Sequence, residues 1–364
     1  MTTLASGAPE ADRRRRLLPD PLTSLGWVIW RQHRTALIWL AVLVAALGAG
    51  ILVAGIAMHR LYAAEIAHGC LGRSAWSSVC RPLQTPFAIG WPLTYAYYVV
   101  AVMEAVPVII GVFIGAPLLA REYTAGTVRF TWTQAIGRTR WAVATLVLTG
   151  AAVAAVAAVL GLITQWSVQP LAAQTTSFPA DRWEPGFFDS TVLTAATAAL
   201  LAFMIGVLLG ALIRRVVYAM AVTGVCAIMA AFSTYHWLDH WLLGQGTRLA
   251  RDPVFAGLPH DSFPTSGVIG IHEAVSRSVP GPAGAWLDQA WFTGAGGHRL
   301  GGAAANQLSF TSPARLTRLH DTFWVTYQPG SRYWVLQLIL AGGTLVAALL
   351  LAAAAIALIR HRRA

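Results

Sequence analysis

The chain has 364 residues, 56% of them hydrophobic and only 11% charged, with a mean hydropathy of +0.59. Soluble domains run near a quarter charged, so these values exclude one, and the apolar residues fall in blocks long enough to cross a bilayer. The net charge of +11 rests on 26 arginines with no lysine, which excludes a P-loop, whose Lys must reach the β/γ-phosphates, and Schiff-base chemistry, which needs an amine.

In chain order, residues 1–19 are polar and contain Arg13, Arg14, Arg15 and Arg16. They do not read as a signal peptide, because the apolar run that follows is interrupted by Arg31, His33 and Arg34 and lacks a small-residue cleavage site. The segment PLTSLGWVIWRQHR, 21–34, spaces Leu22, Leu25, Val28 and Ile29 as a helix does and adds Trp27 and Trp30. It predicts a helix lying in the headgroup layer. The first span is Thr35–Met58, 24 residues without a charge, enough for a hydrocarbon core of ~30 Å.

A polar loop, 59–92, holds Arg60, Glu65, Arg73 and two cysteines, Cys70 and Cys80. The second span, about Leu93–Ala120, contains Glu104 and Pro107. A charged hairpin, 121–140, leads to the third span, Trp141–Leu162 or slightly beyond. A second polar loop, about Thr164–Ser190, carries Asp181, Arg182, Glu184 and Asp189. The fourth span is Thr191–Ile213, Arg214 and Arg215 make a two-residue turn, and the fifth span is Val216–Phe232. The Gly/Pro-rich segment 233–332 follows; HEAVSRSV and PARLTRLHDTFW within it read as short helices. The last span, Tyr333–Ile359, closes on a basic tail.

The fold expected is therefore an all-α polytopic membrane protein with six transmembrane helices. It divides into a tail and interfacial helix (1–34), helices 1–5 with the hairpin (35–232), an outer loop (233–332), and helix 6 with its tail (333–364). Six spans put both termini on one side. The segments proposed as inner carry six, four, two and three Arg, 15 in 61 residues. The two short loops proposed as outer carry 4 Arg in 61 residues. Positive charge stays cytoplasmic, so both termini and the hairpin are expected in the cytosol and 233–332 outside it.

In the hairpin, Arg121 and Glu122 mark where hydrocarbon gives way to water. Gly126 ends one helix, and Thr127 offers a capping oxygen to a short helix over about 128–136. That helix displays Arg129, Phe130 and Trp132, Gly137 stops it, and Arg138, Arg140 and Trp141 anchor the next span. Glu104 lies 17 residues before Arg121, roughly 25 Å from the inner boundary. An intramembrane carboxylate either lines a substrate path or binds a proton, or else sits neutral near the headgroups. Cys70 and Cys80 would stay reduced in a cytosolic loop and could close a ring in an exported one. His236, Asp239 and His240 have a spacing able to hold a metal, although three aromatic neighbours favour a polar cap on the fifth span; no metal site is expected. The basic balance points to lipid headgroups, not nucleic acid.

The hairpin resembles the membrane domain of type 2 ATP-binding-cassette (ABC) exporters, in particular actinobacterial permease subunits. The resemblance rests on Gly115-Ala116-Pro117, Arg121-Glu122, Gly126-Thr127 and the stretch Gly137–Trp141. YQPGSRYWVLQ, 327–337, is similar to the family's lead into the last span, and CLGRSAWSSVC to its paired-cysteine first outer loop, which implies a Cys70–Cys80 disulfide. The resemblance implies a permease without enzymatic activity or cofactor, paired with a second permease copy or homologue in a bacterial cell membrane. A separate ATPase would receive the hairpin's short coupling helix, with Glu122, Gly126, Thr127, Arg129, Phe130 and Arg138 at the contact. Two other readings stand beside it: a proton- or ion-driven carrier using Glu104, and a membrane-embedded enzyme with a metal near His236 and His240.

Overall fold

Among the described residues of the structure, a computed structural model, six helices are long and apolar enough to cross a membrane. The residues described are 21–70, 79–80, 82–83, 91–124, 138–173, 185–237, 248–251, 286–292, 323–328 and 330–361. Contacts divide the chain into a unit ending at Gly50 and a unit running from Ile51 to Ala364.

Helix α1, Pro21–Ala67, includes the segment expected at the headgroups and continues well past Met58. His59, Arg60 and Glu65, expected in a loop, are helical, and Glu65 is buried. Leu61, Tyr62, Ala63, Ala64 and Ile66 surround those charges with helix-compatible residues, so the helix has no cause to stop there. It stops at Gly69, whose φ of +64° only glycine adopts without cost. The Gly69 N–H donates to the Ile66 carbonyl at 3.0 Å and the Cys70 N–H to the Glu65 carbonyl at 2.9 Å. This pair of bonds is a Schellman cap.

The second span has three parts: α2 (Trp91–Ile110), a π-helical turn (Gly111–Gly115) and α3 (Ala116–Thr124). The wide turn lies just ahead of Pro117, which has no N–H to donate and whose ring would press on the carbonyl of Phe113 in a regular helix. Instead the Ala116 N–H reaches back to the Gly111 carbonyl. Helix α4, Arg138–Ala173, outruns the expected third span by three turns and draws Thr164 and Ser167 into buried helical positions. A five-residue helix, α5 (Pro185–Asp189), precedes α6, Val192–Ile213.

Arg214 takes a left-handed conformation, φ 59°, and its N–H donates to the Gly210 carbonyl at 3.2 Å. The turn is thereby closed within two residues, and α7, Val216–Trp237, begins at once. Helix α8, Tyr333–His361, follows one 3-10 turn, Gly330–Arg332. Helix α6 is the hub: it packs on α8, α4, α3, α7, the π turn and α2.

Between α7 and α8 the described residues form strands, an addition to the all-helical expectation. β1 (Arg248–Arg251), β2 (Trp286–Phe292) and β3 (Phe323–Gln328) make an antiparallel sheet in the order β1-β3-β2. A register shift between Leu287 and Gln289 marks a bulge in β2. Phe323 and Trp324, read as the end of a short helix, are strand residues paired with Phe292 and Trp291; five of the six residues of FWVTYQ are aromatic or β-branched, which favours a strand. The other proposed helix, 272–279, lies outside the described residues.

Candidate functional site

The two ends of the bundle are built from different chemistry. At the hairpin end, α3 descends from the π turn and carries Arg121, exposed, and Glu122, half-buried, at its tip. The Thr124 hydroxyl donates to the Ala120 carbonyl at 3.1 Å and the Arg121 carbonyl at 3.0 Å, holding the last turn together. Gly126, Thr127, Arg129 and Phe130 lie outside the described residues, and of Arg138 only its place at the start of α4 is described.

Above that tip, α3 and the π turn meet α6 backbone to backbone. A Cβ placed on Gly111 would lie 2.6 Å from the Ala202 carbonyl oxygen, and one on Gly115 2.5 Å from that of Phe203. From the opposite side, a Cβ on Gly206 would collide with the Gly111 carbonyl and one on Gly210 with the Ala116 carbonyl. Two small-xxx-small pairs, Gly111/Gly115 and Gly206/Gly210, thus interlock, the arrangement that lets helices approach closely in lipid. Ala116 and Ala120 continue the seam onto Ala219 of α7, packed beside Ile213, Val216 and Met220. α3 thus packs directly on α6 and on the start of α7.

At the far end, the short helix α5 fills the space between helices. Phe187 packs with Met58 of α1 and Ala96 of α2, against Leu61, Tyr62, Tyr95 and Val168. Phe188 is fully buried and meets Tyr333 of α8 edge-on, with ring centroids 5.4 Å apart. Gln337 of α8, fully buried in an otherwise apolar helix, donates from Nε2 to the Phe188 carbonyl at 2.8 Å. Its Oε1 accepts from the Thr191 hydroxyl at 2.7 Å. The Thr194 hydroxyl lies 2.8 Å from that of Thr191 and also 2.8 Å from the Asp189 carbonyl. The Ser190 hydroxyl closes the turn on the Gly186 carbonyl at 2.6 Å.

Glu104 borders this end. A Cβ on Gly186 would lie 3.3 Å from Glu104 Oε1 and would strike Val100, so only glycine lets α5 come this near α2. Three residues on, Asp189 Oδ1 is buried without a hydrogen-bond partner. Burial first, and the charge of Glu104 second, push the Asp189 carboxyl up to about 7. Nothing local in the sequence joins Asp189 to Glu104, 85 positions away; the signal that could do so is FFD, an acid directly after two aromatics at the head of a span.

Cys70 and Cys80 are bonded, with Cα atoms 5.3 Å apart, and both are buried; Cys226 is a free thiol. Between α1 and the start of α2, an open groove of about 570 Å³ is lined by Val53, Ile56, Ala57, Arg60, Leu61 and Trp91. Below Arg60, His59 stacks on Trp166 at 4.4 Å, and its Nε2 lies 2.9 Å from the Trp166 carbonyl. His236 belongs to the last turn of α7, while Asp239 and His240 lie outside the described residues. Among the described residues no group of three or more His, Cys, Asp or Glu is placed to hold a metal ion.

Compared with known protein families, residues 40–238, more than half of the chain, match the family described as ABC-2 membrane transporter related. No curated protein and no solved structure gives a significant match. The matched region runs from within α1 to the end of α7 and so contains the glycine seam, α5 and the site of the hairpin.

Proposed function

The chain belongs to the ABC-2 membrane transporter related family, and from that premise we propose that it is the permease of an ABC exporter driven by a separate ATPase chain. Six bilayer-length helices and the family make it a multi-pass membrane transport protein rather than an enzyme. The observation that carries the finer reading is the glycine seam, which brings the backbones of the hairpin's arm and of the hub helix into contact. Soft side chains between α3 and α6 would absorb a push of an ångström or so; interlocked backbones transmit it.

The hairpin's short helix then docks on the ATPase through Glu122, Gly126, Thr127, Arg129, Phe130 and Arg138. A chain without lysine cannot form the phosphate-binding loop itself, so nucleotide is hydrolysed by the partner. For that hydrolysis to move this chain, the ATP-bound partner must interact differently with two arrangements of the bundle. A second permease copy or homologue completes the pathway. Both termini and the hairpin face the cytoplasm of a bacterial cell. The arginine asymmetry supports this orientation, and so does the Cys70–Cys80 bond at the far end, which belongs on the oxidising side.

The test is co-purification from native membranes. An ATPase chain is expected to arrive with the wild type and to be lost from Glu122→Ala and Arg129→Glu. Retention of the partner and of ATP-dependent transport in both variants would remove the hairpin from the coupling role. Labelling of residues 121–140 from the exterior would reject the orientation.

A further inference from the structure

We propose that α5 is a plug at the far end of the bundle, latched to α8 by Gln337 and to α2 by uptake of one proton at the Asp189–Glu104 pair. The proposal rests on reading the bundle as a transport path, and it adds the element that closes that path on the side away from the hairpin.

Geometry puts the plug there. α5 immediately precedes α6 at the end of the bundle opposite the hairpin, and it is five residues long. Its two aromatic rings point into separate packing groups: Phe187 joins α1 and α2, and Phe188 joins α8. Two kinds of fastening hold it. The first is Gln337, whose amide donates to the plug's backbone and accepts from Thr191, so that α8 and the head of α6 grip the same turn. The second is the approach of α5 to α2 at Gly186, which places Glu104 beside the plug.

The second fastening depends on charge. Two ionised carboxylates on neighbouring elements repel, and of the half-buried Asp189 carboxylate the Oδ1 atom is buried with no hydrogen-bond donor to stabilise its charge. With one proton on the pair, the repulsion and the buried charge both vanish. Of the other elements packed on α5, α6 and the far end of α4 carry no ionisable side chain. α8 presents the Tyr333 hydroxyl, α2 adds Tyr95, and α1 has His59, Arg60, Tyr62 and Glu65 on its last turns. Among all of these, Glu104 is the charge that acts on Asp189.

The sign follows from linkage. When the plug lifts, Asp189 meets water and its pKa returns toward ~3.9; seated, it lies near 7. The seated state therefore binds the extra proton between those values. Seating is strongest below about pH 4, weakens as pH rises toward 7, and is flat above. Between pH 5 and pH 8 the opening constant should rise by about ten- to a hundredfold, up to tenfold per unit across two effective units.

Hydrogen exchange of the backbone over residues 185–191, in the full chain in lipid nanodiscs and corrected for intrinsic base catalysis, reads that constant directly. The wild type is expected to show the rise from pH 5 to pH 8. Asp189→Asn, which keeps the neutral shape, should hold the low-pH value throughout. Gln337→Leu should open the segment at every pH while preserving the slope, and Thr191→Val should do the same more weakly. A flat wild-type profile, or a slope that survives Asp189→Asn, overturns the proton latch. Unchanged opening in both Gln337→Leu and Thr191→Val overturns the α8 latch. No ATPase takes part, so a bound ATPase with a flat profile sinks the plug alone. A pH-dependent plug with no ATPase partner sinks the permease reading alone.

Discussion

The seam between α3 and α6 and the knot around α5 both tie the same hub helix to its neighbours, but with opposite materials. The seam is glycine and alanine, with carbonyl oxygens pressed where side chains would otherwise be. Its strength is shape, which neither pH nor salt alters. The knot is Gln337, Thr191, Thr194 and the plug's own carbonyls, with a carboxylate pair beside it. Its strength is directional bonding, which is lost abruptly when one partner turns away. The proposed drive at the hairpin and the proposed gate at α5 would need this division. The driven end must not slip, and the gated end must let go.

That contrast can be broken at either end. The largest effect is expected from Gly206→Leu, which drives a side chain into the carbonyl of Gly111 and the amide of Ala116. Overpacking against rigid backbone should cost about 3 kcal/mol, read as a collapse in thermal midpoint and in yield of folded protein in detergent. Survival of Gly206→Leu at wild-type stability would mean that the seam is not tight. Next comes Gln337→Leu, which removes the bonds of the amide to the Thr191 hydroxyl and the Phe188 carbonyl and leaves both to the Thr194 hydroxyl. A loss of about 1–2 kcal/mol is expected, with the unfolding transition still cooperative. The smallest is Thr344→Val, which removes the 2.8 Å hydroxyl bond between α8 and Thr197 of α6. Interhelical bonds of this kind average about 0.6 kcal/mol, and a double mutant with Thr197→Val should show that amount as coupling. If Thr344→Val proved costlier than Gln337→Leu, the grip of α8 on α6 would lie along the helices and not at the plug.

The sequence made the latter half of the bundle easier to read than the first. The fourth span was placed at Thr191–Ile213 and is Val192–Ile213; the last was placed at Tyr333–Ile359 and is Tyr333–His361. Both are bounded by abrupt chemistry, an arginine pair in one case and a basic tail in the other. Helices α1 and α4 were cut short because hydropathy finds the edge of the hydrocarbon, not the end of a helix, and both helices continue among polar residues. Strands β1 to β3 were missed because each is short and its partner lies tens of residues away.

Of the site, the hairpin and Glu104 were legible as charges out of place. The seam was legible in principle, since Gly111/Gly115 and Gly206/Gly210 share one spacing, but nothing local says that those two pairs face each other. Gln337 stood out as the amide in YWVLQLIL, yet its role needs Phe188 and Thr191 beside it. Asp189 could not be assigned, because an acid at the head of a span is ordinary until the fold buries it.

The turn at Arg214 and Arg215 leaves no slack between α6 and α7. Helix α7 shows Val217, Val225, Ile228, Met229 and Phe232 on its outward surface, the side that acyl chains wet. In the proposed transport cycle, a tilt of the hub would carry that surface with it. The turnover of such a protein should then carry the signature of its solvent, slowing as the surrounding bilayer stiffens.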